Sequence, residues 1–219
     1  YPYSCHVDPV ADSINRGLYG MMIVDPKKPR PHMTEMVMML NGYDMNYEQE
    51  ANTSLPPASQ FPINQRNDTD SNITQMSFTS LSSIKQKEIE SPQDKERDNE
   101  IYSVNGKAFD YVKHPIMLQT GKLYRIYVAN MLEFDSVNSF QIDGTMFDYY
   151  TAGTDETSDY KTDIITMSHG DRGIMEFMYR YPGTYQFQAS KAEYTDLGWM
   201  GLFDVRGDPV KTNITDIDT

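Results

Sequence analysis

A single cysteine, Cys5, stands in the 219-residue chain, so no disulfide can close within it, and the redox compartment stays open. Basic residues are scarce. Nineteen Lys and Arg face 32 Asp and Glu, for a formal net charge of −13. A chain this acidic repels phosphate backbones, which argues against nucleic acid as a partner. Acidity of this kind speaks to solubility rather than to a particular site. Long apolar runs are missing too: none approaches the ~20 residues that span a bilayer. There is no signal peptide. Because the chain opens on "YPYSCH", in mid-strand, it reads as a piece of a longer protein with any export signal or anchor upstream.

What is present suffices for a core. Hydrophobic residues make up 38% and aromatics 12%, with 16 Tyr and 15 Met, enough for one full domain or two small ones. The apolar run "LYGMMIV" (18–24) predicts a strand ended by the proline-rich turn "DPKKPRP". "EMVMMLNGY" (35–43) predicts a second strand, with Asn41-Gly42 as a turn signal. Residues 48–99 change texture, being rich in Ser, Thr, Asn, Gln, Pro and Glu without a sustained period. They read as a polar, mostly irregular insertion, with a short charged helix before Pro92. Asn52, Asn67, Asn72 and Asn213 each begin an N-x-Ser/Thr sequon, as suits the surface of an exported protein.

From Glu100 onward short apolar runs alternate with turn residues: "IYSVNG", "HPIMLQTG", "KLYRIYVANM", "NSFQIDG", "TMFDYY", "TDIITMSHGD", "GIMEFMYRYPG", "TYQFQAS" and "WMGLFDV". Many short strands at this spacing predict an all-β sandwich. Residues 207–219 read as a flexible tail.

Two strands carry paired polar faces. Residues two apart on a strand share a face, so Gln141 and Asp143 point one way while Phe140 and Ile142 point the other. Gln188 and Ser190 are set likewise against Phe187 and Ala189. A His-x-His pair in this geometry would grip transition-metal ions. Carboxamide and hydroxyl groups are weak neutral ligands, and the residues alone favour hydrogen-bonded polar groups on a wet cleft or interface. Near the start, "YSCHVDPVADSINRGLYGMMIVDP" holds a Cys-His pair, a loop, and a Gly-aromatic-Gly turn into an apolar strand. A blue-copper site gathers Cys, His and a weak axial Met from such a loop; here the downstream positions offer Asp12 and Leu18.

Together with "EMVMMLNGYDMNY", "DNEIYSVNGKAFDYVKHPI", "ANMLEFDSVNSFQIDG" and "FQASKAEYTDLGWMGLFDV", these stretches resemble the two-domain, nitrite-reductase-like multicopper oxidases, above all those of ammonia-oxidising archaea. The resemblance implies a cupredoxin-like Greek-key β-sandwich. Residues 1–47 would be the C-terminal part of a first cupredoxin domain and 100–206 a complete second one. It also implies a homotrimer outside the cell (extracellular, cell-surface or pseudoperiplasmic), with a mononuclear blue copper and a trinuclear cluster between neighbouring subunits. The resemblance places copper ligands at Ser4, Cys5, His6, Asp12, Leu18, Gln141, Asp143, Gln188 and Ser190. Only Cys5 and His6 keep the family's residue types, so no copper and no catalytic residue are expected in this chain. The leading expectation is a non-catalytic structural or binding homologue. The alternatives are a copper oxidoreductase drawing ligands from upstream residues or another subunit, and a module binding a small polar ligand. His32, His114 and His169 pair with no second histidine at a chelating spacing. Cys5 reads as a buried, inert thiol with His6 on the opposite face.

Overall fold

The computed structural model describes residues 1–7, 10–45, 100–135 and 137–211. All of them belong to one unit assembled from Tyr1–Met45 and Asn99–Thr219. Residues 48–99 with their expected helix, and all four sequon asparagines, lie outside the described residues.

The N-terminal segment holds β1 (Pro2–Ser4), α1 (Val10–Asn15) and β2 (Tyr19–Met21); β1 and β2 form a small antiparallel pair. Then comes β3 (Thr34–Asp44). After residue 99 follow β4 (Glu100–Val104), α2 (Asp110–Lys113), β5 (Ile116–Gln119), β6 (Tyr124–Asn130), β7 (Val137–Ile142) and β8 (Phe147–Tyr150). The chain continues through β9 (Tyr160–Thr162), β10 (Ile164–Ser168), β11 (Arg172–Phe177), β12 (Gly183–Gln188), α3 (Ala192–Asp196) and β13 (Met200–Arg206). One sheet runs β4-β3-β6-β11-β8-β9 and the other β10-β7-β12-β13-β5. Neighbours are antiparallel except β3 with β6 and β13 with β5. The expected all-β sandwich is what forms.

Aromatic residues fill the space between the sheets. Phe140, Phe187, Trp199 and Phe203 are all sealed from solvent. Phe187 sits 4.6 Å from Phe203 between ring centroids, and Phe140 meets Trp199 edge-on at 5.1 Å. Strand β6 is buried along its whole length, because both of its faces are covered. Tyr124, Ile126 and Val128 enter the main core. On the other face Ala129 joins Ile14, Met39 and Met131, with Tyr19 and Met21 packed against them. The N-terminal segment therefore lies over the outer face of the six-stranded sheet.

A buried cation locks that cover down. Arg125, 2% exposed, donates to Glu176 at 2.7 Å, to Glu35 at 2.6 Å and to the Pro31 carbonyl at 3.1 Å. Arg30 stacks over the Tyr150 ring at 4.7 Å and donates to the Gly153 and Asp155 carbonyls. One guanidinium thus ties β6 to β3, to β11 and to the proline-rich turn.

Three expectations need correction. The boundary after residue 47 cuts through the second sandwich, since β3 pairs with both β6 and β4. The cause is burial: Met38 and Leu40, at 1% and 0% exposure, find their core only there. Asn41-Gly42 makes no turn and lies within β3. Gly42 is there for space: a Cβ would come within 2.6 Å of Leu132 and 3.0 Å of Tyr102. The strand expected over 18–24 shrinks to Tyr19–Met21, leaving Met22, Ile23 and Val24 exposed.

Replacing Arg125 with Met takes the nearest cation from the buried Glu176 carboxylate, leaving it the Arg30 guanidinium at 3.8 Å and the Tyr150 hydroxyl at 3.3 Å. Urea denaturation is expected to show a loss of about 3 kcal/mol in unfolding free energy. Adding Glu176→Gln to Arg125→Met should restore part of that loss.

Candidate functional site

The two polar pairs singled out in the sequence come together on the outer face of the five-stranded sheet. Antiparallel pairing sets Gln141 directly opposite Gln188. Inward-pointing Phe140, Ile142, Phe187 and Ala189, none more than 1% exposed, hold both strands in this register. At one end of the Gln–Gln pair, Ser139 and Ser190 share a hydrogen bond between hydroxyls at 2.8 Å, and the Ser190 N–H donates to the Ser139 hydroxyl at 2.8 Å. At the other end the Asp143 N–H donates to the Gln186 carbonyl at 2.9 Å. The Gln186 amide donates to the Gln188 side-chain oxygen. The result is a ladder of three cross-strand rungs: a bonded pair of hydroxyls, a facing pair of carboxamides, and a main-chain bond from Asp143 to Gln186.

An inner network fixes the serine end. Asn138, buried to 2% exposure, accepts from the Trp199 indole N–H at 3.0 Å and from the Ser139 N–H at 2.8 Å. Its amide donates to Asn130 at 3.3 Å. Beside this end opens a cavity of about 310 Å³, whose lining includes Asp135, Val137, Ser139, Thr166, Ser190 and Lys191. Lys191 pairs with Glu193 at 2.6 Å and lies 4.3 Å over the Tyr194 ring. Partial burial works against its charge, yet Glu193 and Tyr194 hold the ammonium above its ordinary pKa. Ser139, Gln186, Asn138 and Lys191 were not singled out in the sequence. The first two carried the signal, being the next same-face positions along the two quoted strands. Asn138 and Lys191 carried none, because their roles depend on partners far along the chain.

The N-terminal positions form a separate group. Ser4 faces Tyr19 across the β1–β2 pair, and the Cys5 N–H donates to the Leu18 carbonyl at 3.0 Å. The Val7 N–H and the Ser13 hydroxyl lower the Cys5 thiol pKa. Cys5 is only half-buried, not the sealed thiol expected, and His6 is exposed. Asp12 accepts the Arg16 Nε–H at 3.0 Å on both of its oxygens. Leu18 is 54% exposed. This group lies with the segment that covers the six-stranded sheet, whereas the ladder is on the five-stranded sheet. The sandwich separates them, and a single chain does not bring them together. His114 pairs with Asp110 at 3.0 Å, and His169 contacts the Leu132 carbonyl and Glu133. Among the described residues, no three His, Cys, Asp or Glu side chains are grouped to hold a metal ion. Among them, too, no helix is long and apolar enough to cross a membrane.

A sequence model of a family described as multicopper oxidase matches residues 78–209, more than half of the chain. The chain belongs to the multicopper oxidase family, and its sandwich is cupredoxin-like. A solved multicopper oxidase is 36% identical, over 94% of this chain and 55% of its own length, with a TM-score of 0.67. A copper nitrite reductase from Nitrosomonas europaea is 18% identical, over 95% of this chain and 62% of that one, at TM-score 0.68. A blue copper oxidase from the same organism is also 18% identical, over 93% and 55%, at TM-score 0.63. The last two attest the fold alone. The chain spans between half and two thirds of the length of these structures. No curated protein matches it.

Asn138→Ala leaves the Trp199 indole N–H and the Ser139 N–H without the acceptor they share. Unfolding free energy is expected to fall by about 2–3 kcal/mol in denaturant titrations.

Proposed function

We propose that this chain is a copper-ligand-depleted member of the two-domain, nitrite-reductase-like group, of the ammonia-oxidising archaeal type. It keeps the sandwich for structure, assembly or binding at the cell exterior and performs no oxidase chemistry. The observation that carries this reading is the Gln141–Gln188 rung. Where the resemblance places imidazoles, two carboxamides face each other, and the rungs beside them are a bonded pair of serine hydroxyls and a main-chain bond from Asp143 to Gln186. Amide and hydroxyl oxygens are poor donors for copper, which favours imidazole and thiolate. Ser139 with Ser190, and Gln186 with Gln188, are also already engaged with one another. At the N-terminal group Asp12 is chelated by Arg16, whose guanidinium repels a cation approaching that carboxylate. The donor set does not fit a copper cluster. In this reading the trimer of the resembling proteins persists as an assembly without a shared metal.

A second reading rests on Cys5, whose thiol keeps two hydrogen-bond donors and a lowered pKa. A copper oxidoreductase built on it would draw its other ligands from outside the described residues or from a second copy. The ladder and the Cys5 group, on opposite sides of the sandwich, meet only between copies.

Loading the purified protein with Cu(II) separates the two. The proposal expects a colourless solution and substoichiometric copper by elemental analysis. Stoichiometric copper together with oxidation of phenols or metal ions overturns it. The converse variant, Gln141→His with Gln188→His, sets two imidazoles across one rung, where facing Cβ atoms lie about 5 Å apart. Its Cu(II) affinity is expected to exceed that of the parent by about 10-fold or more, read by competition with a chromophoric chelator.

A further inference from the structure

The cavity beside the serine end of the ladder holds one cationic and one anionic side chain around a patch of hydroxyls. Lys191 supplies the ammonium, which carries three donors and is held at the rim by Glu193 at 2.6 Å. Asp135 supplies the carboxylate, anchored by the Tyr102 hydroxyl at 2.6 Å. Ser139, Ser190 and Thr166 line the space between with hydroxyls, and Val137 adds an apolar wall. Each strand sends these groups the same way: Ser139 lies opposite Thr166 in the β7–β10 pairing, and Ser139 bonds Ser190 across to the end of β12.

Charge narrows the ligand. A free anion gains from Lys191 but meets Asp135, Glu193 and a chain of net charge −13. A free cation gains from Asp135 and is opposed by Lys191. A molecule carrying both charges answers both residues and adds no net charge to the site. At about 310 Å³ the space is at the small end for ligand sites. We propose that this cavity binds a small zwitterion, an α-amino acid with a short or polar side chain. Its carboxylate meets Lys191 and the Ser190 and Thr166 hydroxyls; its ammonium meets Asp135. The inference rests on the copper-free reading in one respect: Ser190 must be free to face the cavity rather than a metal.

The test is isothermal titration calorimetry of the full chain, in EDTA, with glycine, L-serine and L-glutamine. Acetate and methylammonium, each carrying one of the two charges, serve as controls, and copper is measured separately by elemental analysis. At least one amino acid is expected to bind about 10-fold or more tightly than either control. Lys191→Gln and Asp135→Asn should each weaken that amino acid by about 10-fold or more, with melting temperatures checked alongside. Thr166→Val, on the exposed face of β10, provides a variant that leaves the Asp135–Tyr102 contact intact and should weaken binding several-fold. No heat with any amino acid at about 10 mM overturns the proposal, as does acetate or methylammonium binding equally well. Unchanged binding in well-folded Lys191→Gln and Thr166→Val also overturns it. Stoichiometric copper in the same samples counts against the copper-free reading alone.

Discussion

The arrangement of this protein depends on the alternation of side chains along β7 and β12. Phe140 and Ile142 on one strand, and Phe187 and Ala189 on the other, are locked into the aromatic core beside Trp199 and Phe203. A strand has period two, so whatever stands between those residues is forced onto the outer face. A slip of one residue would expose the phenylalanines and bury the glutamines, which the core forbids. The ladder of Ser139–Ser190, Gln141–Gln188 and Asp143–Gln186 is therefore a consequence of packing on the other side of the sheet. It stays in place whatever the outward residues are.

That independence lets the fold persist whatever chemistry the outward residues carry. The sandwich is stabilised from within by rings and from the far side by the Arg125 network and the N-terminal cover. No part of that stabilisation passes through the ladder's side chains. The outward residues are free to be imidazoles, or amides and hydroxyls. Here they are amides, hydroxyls and a carboxylate, of which Ser139 with Ser190 and Gln186 with Gln188 satisfy one another by hydrogen bonding.

Much of this was legible beforehand because strand periodicity is local. "NSFQIDG" and "YQFQAS" each display their two faces without reference to anything else, and every strand expected after Glu100 is present. The errors fell where a local signal met a distant partner. Asn41-Gly42 has turn chemistry, but Leu132 and Tyr102 crowd Gly42 and keep it in a strand. Residues 34–44 seemed to close a first domain because a long segment follows them. Their apolar faces instead pack with residues 102–132, and β3 joins the second sandwich.

From the sequence by itself came the all-β class, the pairing of Gln141 with Asp143 and of Gln188 with Ser190, and the absence of imidazole at those positions. Each is a matter of composition or of period two along one strand. Tertiary structure alone decided that the two pairs face each other across one rung. It also set the Cys5 group on the far side of the sandwich, and it brought Lys191 and Asp135 to the same cavity. Those are register and packing outcomes, settled by which buried surfaces find each other across dozens of intervening residues.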